Sequence, residues 1–203
     1  MLDFKIIRSL HSLKDIWKDP GNKALRNIFW FFGITLLIHF SYRLWAHHFQ
    51  YYPLQSQMEF FRGFLARMVL NQVTWIDMHI LGLSVVKEGN LMRFDNGATI
   101  WISGDCSGDK QILQLAMLLL VFPGRWIRKI WWIPAGVIIV HVTNIVRIAL
   151  LSLVAVWRPE WMIRVHDTLL RALFYVVIFG IWWLFVTEGC IFRTRSPLPR
   201  NGA

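Results

Sequence analysis

Three residues far apart in the chain, Cys106, Arg147 and His166, are the types that acyl transfer through a thiol needs. A thiolate attacks a carbonyl, a cation holds the oxyanion that forms, and an imidazole moves the proton. Cys106 stands in Ser103-Gly104-Asp105-Cys106-Ser107-Gly108, just before an apolar run. A helix starting there would offer orphan N–H groups and the positive end of its dipole, and both favour a thiolate. Gly104 and Gly108 let backbone approach a substrate closely. N–H groups near Ser107 are candidate donors to an oxyanion. The competing reading of Cys106 is a buried, inert thiol.

Arg147 lies inside another apolar run, with Asn144 one helical turn before it and therefore on the same face. It is about ten residues, or roughly 15 Å, from the end of that run. An arginine that deep in lipid costs about 2.5–3.5 kcal/mol unless it faces a bundle interior or water, which makes it a functional candidate. The alternatives are a structural pair with Asp105 or Asp167, or a side chain that snorkels outward. His166 opens the next apolar run beside Asp167, a carboxylate able to orient an imidazole. Its alternative role is that of a hydrogen-bonded spectator. His141, on the same run as Asn144, reads as a packed polar residue. His47-His48 is at best a weak metal pair. No His/Cys/carboxylate spacing suits zinc, and no cofactor is expected.

The elements that must position these residues are apolar and long. The chain has 203 residues, 56% of them hydrophobic, with twelve Trp and fifteen Phe. That describes a single polytopic membrane domain with interfacial aromatics. Four runs read as spanning helices: 27–45, 106–122, 130–157 and 168–189. The second qualifies only if its polar start is counted. The formal charge of +10 lies beside these runs rather than in a stripe on a soluble element. It therefore points to topology and anionic lipid, not to nucleic acid.

The first 26 residues carry Lys5, Arg8, Lys14, Lys18, Lys23 and Arg26 and lack a cleavage site, so they read as a basic cytoplasmic segment and not a signal peptide. Arg125, Arg128 and Lys129 in a short loop, and Arg193, Arg195 and Arg200 in the tail, are expected on the same side. These three assignments require an even number of spans. Residues 47–105 and the turn at 158–167 then lie on the outer face, Arg158 and Arg164 being mild exceptions. Cys106 and Cys190 fall at opposite ends of their spans, too far apart for a disulfide. The stretch 59–83 has helical spacing but carries Arg62, Arg67, Asn71, Gln72 and Asp77. A fifth span there would break the charge pattern, so it reads as an amphipathic helix at the outer interface or packed on the bundle. Short alternating runs at 83–87, 91–94 and 99–102, with turns at 88–90 and 95–97, predict a small antiparallel sheet leading into Cys106.

At these residues the sequence resembles the exosortase/archaeosortase family of membrane cysteine transpeptidases. The match is Cys106-Ser107-Gly108 opening a span, Asn144-x-x-Arg147-Ile148 inside the next, and His166 at the start of the one after. The resemblance runs from about residue 60 to 190. It implies a nucleophile at Cys106, an acid/base at His166 and a transition-state stabiliser at Arg147, with Asn144, Ser107, Gly108 and Asp167 in support. It implies as partner an exported protein with a C-terminal motif, transmembrane helix and basic tail, cleaved through a thioester and transferred to an envelope acceptor. The setting implied is the outer face of a bacterial or archaeal cytoplasmic (inner) membrane. Asp109-Lys110 depart from the family, where apolar or small residues usually follow, and the chain is shorter than the many-span members. The rival reading is a non-catalytic membrane factor in envelope-polymer or protein export.

Overall fold

The structure, a computed structural model, describes residues 22–191. Most of the basic head (1–21) and the tail with Arg193, Arg195 and Arg200 lie outside the described residues. The chain is mostly helical: α1 (Lys23–His47), α2 (Gln55–His79), α3 (Asp109–Val121), α4 (Trp126–Trp157) and α5 (Leu170–Ile191). Between α2 and α3 lie β1 (Val85–Glu88), β2 (Leu91–Phe94) and β3 (Thr99–Trp101), in antiparallel order β1-β2-β3. Gly89 and Gly97 turn the two hairpins with φ of 60° and 81°, a region costly to other residues. The expected sheet is thus present, with β2 at the expected residues and the bounds of β1 and β3 differing by a residue or two.

The organising fact is the length of α4. Its 32 residues rise about 48 Å, whereas a hydrocarbon core is about 30 Å thick. One helix therefore serves two cores. Its first half joins a bundle core with Phe31 of α1, Leu115 and Leu118 of α3, and Phe174 and Trp182 of α5. Its second half, from Ile145 to Ala155, joins a cap core with Val69 and Val73 of α2 and Met92 and Ile100 of the sheet. Where such a core faces water, each fully enclosed aliphatic side chain contributes about 1.5–3 kcal/mol. A bundle in lipid depends instead on close packing. Gly136 provides it, because a Cβ there would lie 2.6 Å from Leu115 Cδ2.

The outward surface of the bundle is apolar. Phe29, Trp30 and Phe40 on α1, Trp131 and Ile138 on α4, and Val176 on α5 are all exposed. Isolated exposed apolar residues are ordinary, but a continuous sheath of them suits lipid.

The expected count of four spans is not reproduced. Among the described residues, α1 from Ala24 and α4 are long and apolar enough to cross a membrane. The apolar stretch of α5, Ala172–Thr187, is shorter. α3 has 13 residues, about 20 Å. Its start is delayed from Cys106 to Asp109 by the left-handed Gly108 (φ 80°), and Pro123-Gly124 follow its end. α2 is amphipathic as its spacing predicts. Leu65, Ala66, Val69, Leu70 and Val73 are buried, while Arg67, Asn71 and Gln72 face out. It packs on α4 and β1.

Candidate active site

The polar layer between the two cores holds the candidate site. Cys106 ends a 3-10 turn, Gly104–Cys106, and is half-buried and unbridged. Its N–H donates to the Ser103 carbonyl at 3.0 Å, and the Ser107 N–H donates to the Gly104 carbonyl at 3.2 Å. The thiol therefore sits on a tight turn three residues ahead of α3, not in the first turn of the helix. The N-terminal N–H of α3, on Asp109, donates to Ser107 Oγ at 3.2 Å. Local turn geometry, more than the end of a long helix, sets the surroundings of Cys106.

Asn144 on α4 is fully buried. Its Nδ2 donates to the Cys106 carbonyl at 2.8 Å. Gly108 makes this possible twice over. Its φ is 80°, and a Cβ there would lie 3.3 Å from Asn144 Nδ2. One turn further along α4, Arg147 Nη2 lies 2.9 Å from His166 Nε2. A guanidinium can only donate, so Nε2 is the accepting atom in this contact. The Arg147 guanidinium also sits 5.6 Å from the centre of the Phe174 ring, an arrangement that stabilises a cation. His166 itself lies in a π-helical turn, Val165–Leu169, that feeds α5. Such turns displace side chains from the regular helical path.

The structure thus joins Arg147 to His166 directly, and ties the backbone of Cys106 to the helix turn before Arg147. Asp105, an anticipated alternative partner of Arg147, is engaged by Arg62 of α2 instead. Asp167 lies in the π-helical turn, and its side chain lies outside the described residues. Arg147 lies in the second half of α4. Ten residues of α4 follow it, and Ile148, Ala149, Leu151 and Ala155 among them pack in the cap. His141 is the packed polar residue expected, with Nε2 at 2.9 Å from Gln72 Oε1 on α2.

Sequence reasoning missed a second polar group beside Cys106. Asp109, 4% exposed, accepts from Ser107 Oγ at 2.8 Å and from the Tyr42 hydroxyl of α1 at 2.7 Å. Arg62 Nε lies 3.3 Å from Asp109 Oδ2, an ion pair without hydrogen-bond alignment. Burial works against the charge on Arg62, and Asp109, Tyr51, Tyr42 and Asp105 more than restore it. Nothing in the spacing of these residues signals the contact, since Tyr42 and Asp109 are 67 positions apart.

In the cap, Asp77 of α2 is fully enclosed and neither carboxylate oxygen has a hydrogen-bond partner. Burial pushes its carboxyl up to about 6. The Ser152 hydroxyl beside it offsets only part of that.

Compared with known families, residues 25–186 match the model described as transmembrane exosortase. That range takes in all three candidate residues and the polar layer around them. No curated protein and no solved structure matches the chain.

Proposed function

The chain belongs to the transmembrane exosortase family, and from that premise we propose that it is a membrane-embedded cysteine transpeptidase or peptidase acting on the C-terminal sorting tails of exported proteins. The family carries a membrane exosortase-type function in general. The specific chemistry is our reading, and one observation supports it above the rest. Arg147 and His166 are in contact at 2.9 Å, and Asn144, one turn away, holds the Cys106 carbonyl. In this reading Cys106, Arg147 and His166, from three separate elements, supply the nucleophile, the cation and the base.

In this reading the substrate's transmembrane helix lies against the apolar bundle, and its scissile peptide reaches the polar layer at the outer face. Cys106 gives its proton to His166, and the thiolate attacks the peptide carbonyl carbon. In the resting geometry His166 Nε2 is occupied by Arg147. Substrate entry therefore comes first: Arg147 Nη2 turns to the scissile carbonyl oxygen, which frees Nε2 to take the thiol proton, and it stays there as the oxyanion develops. The tetrahedral intermediate collapses, the C–N bond breaks, and His166 protonates the leaving amine. A thioester on Cys106 remains until an acceptor amine or water resolves it. The free edge of β3, five residues before Cys106, is the place where an extended substrate segment would add as a further strand. Both termini are taken as cytoplasmic, with the site facing outward, in the inner membrane of a bacterium or archaeon.

The test is a tailed substrate co-expressed with the Cys106→Ala protein. Loss of tail cleavage, with the membrane level of the protein unchanged, is expected. Unimpaired cleavage would refute the proposal and favour a non-catalytic role in export.

A further inference from the structure

Arg62 reaches the candidate site through the carboxylates on either side of Cys106. Its Nη2 pairs with Asp105, one residue before the cysteine, and its Nε lies 3.3 Å from Asp109, three residues after it. The Arg62 side chain is 17% exposed, and its planar head rests 5.3 Å from the centre of the Tyr51 ring. Tyr51 adopts φ of 63°, a conformation that costs a non-glycine residue about 1 kcal/mol or more. Its hydroxyl lies 3.3 Å from that of Tyr42, which in turn donates to Asp109. A Cβ on Gly104 would lie 3.4 Å from the guanidinium carbon of Arg62. The turn that carries Cys106 is therefore gripped from two sides, by Arg62 at Gly104 and by Asn144 at Gly108.

Charge makes the grip more than mechanical. Two carboxylates within three residues of a thiol oppose its ionisation, and a guanidinium paired to both offsets part of that opposition. We infer that Arg62 is a positioning residue for Cys106, fixing the turn from Gly104 to Asp109 and offsetting part of the charge of the two carboxylates that flank the thiol in the chain. The inference rests on the reading of Cys106 as the reacting group. It also gives Asp109 a role: its buried carboxylate is the anchor to which Arg62, Tyr42 and Ser107 all attach. The other charged or titratable groups around the turn are Tyr42 on α1, Lys110 on α3, Arg147 on α4 and His166 in the π-helical turn. All four stay unchanged in the variants below.

The experiment uses the full chain in neutral-lipid nanodiscs, with Cys190→Ser leaving Cys106 as its one thiol. Iodoacetamide alkylation of Cys106 is followed by mass at a series of pH values. Arg62→Gln should move the pH midpoint of the alkylation rate upward by about half to one unit, a three- to tenfold slower reaction below the midpoint. Asp105→Asn should move it in the opposite direction. Adding Asp105→Asn and Asp109→Asn to Arg62→Gln should bring it back toward the parent. If Arg62→Gln slows alkylation equally at every pH, with its midpoint in place, Arg62 is only structural and the inference fails. Asp105 is 88% exposed, so Asp105→Asn folds even where Arg62→Gln does not, and an unmoved midpoint there also overturns the inference. Alkylation requires no peptide substrate. Failure of tail cleavage to depend on Cys106 would thus sink the proposed function separately.

Discussion

Replacing Asp77 with Asn should stabilise the cap at neutral pH. The carboxyl is fully enclosed, unpartnered, and raised by burial from its usual 3.8 to about 6. A folded-state value above the unfolded one means that the native protein holds the proton more tightly. The stability this group supports is complete below about pH 4, falls as the pH rises toward 6, and is lost above 6. At about 1.4 kcal/mol per unit, a shift of roughly two units is on the order of 3 kcal/mol. Asn is neutral at every pH and close in shape, but its amide must also be buried, which costs about 1–2 kcal/mol where it finds no partner. The net gain expected at pH 7.5 is therefore about 1–2 kcal/mol, or a few degrees in melting temperature for a chain of this size. Thermal unfolding in detergent micelles, read by tryptophan fluorescence between pH 4 and 8, measures it. The parent curve should decline between pH 4 and 6 relative to that of Asp77→Asn, and the two should run level above it. Parallel curves over the whole range would show that Asp77 is ionised and solvated in the native state, and the reasoning would be wrong.

Three further substitutions test backbone conformation and packing. Gly108→Ala introduces a Cβ at 3.3 Å from Asn144 Nδ2 on a backbone with φ of 80°. It should cut tail cleavage by about tenfold or more, because displacement of the nucleophile by even an ångström is costly. Gly97→Ala has φ of 81° but nothing within 4 Å of the new Cβ, so it should lose about 1 kcal/mol of stability with cleavage unchanged. Gly136→Val drives side-chain atoms into Leu115, whose Cδ2 already lies 2.6 Å from the new Cβ. A loss of about 1–3 kcal/mol is expected in micelle melting, partly recovered by Leu115→Ala in the same chain.

Much of this architecture is written locally, and local features are what a sequence carries. The apolar runs predicted α1, α4 and α5 to within a few residues. Three- and four-residue spacing exposed α2 as amphipathic, and Glu88-Gly89-Asn90 and Asp95-Asn96-Gly97 marked both hairpin turns. The residue types of Cys106, Arg147 and His166, and the order in which they occur, named the candidate chemistry. Tertiary structure alone decided the rest. Hydropathy does not show which core a stretch of helix joins, so it could not foresee that Ile148, Ala149, Leu151 and Ala155, beyond Arg147, pack with α2 and the sheet. Nor does it register that a left-handed Gly108 holds α3 back to Asp109 and leaves Cys106 on a turn. The contacts of Arg62 with Asp105 and of Tyr42 with Asp109 span 43 and 67 positions. Neighbours so distant are set by how α1, α2 and α3 close on one another, which no periodicity along a single element records.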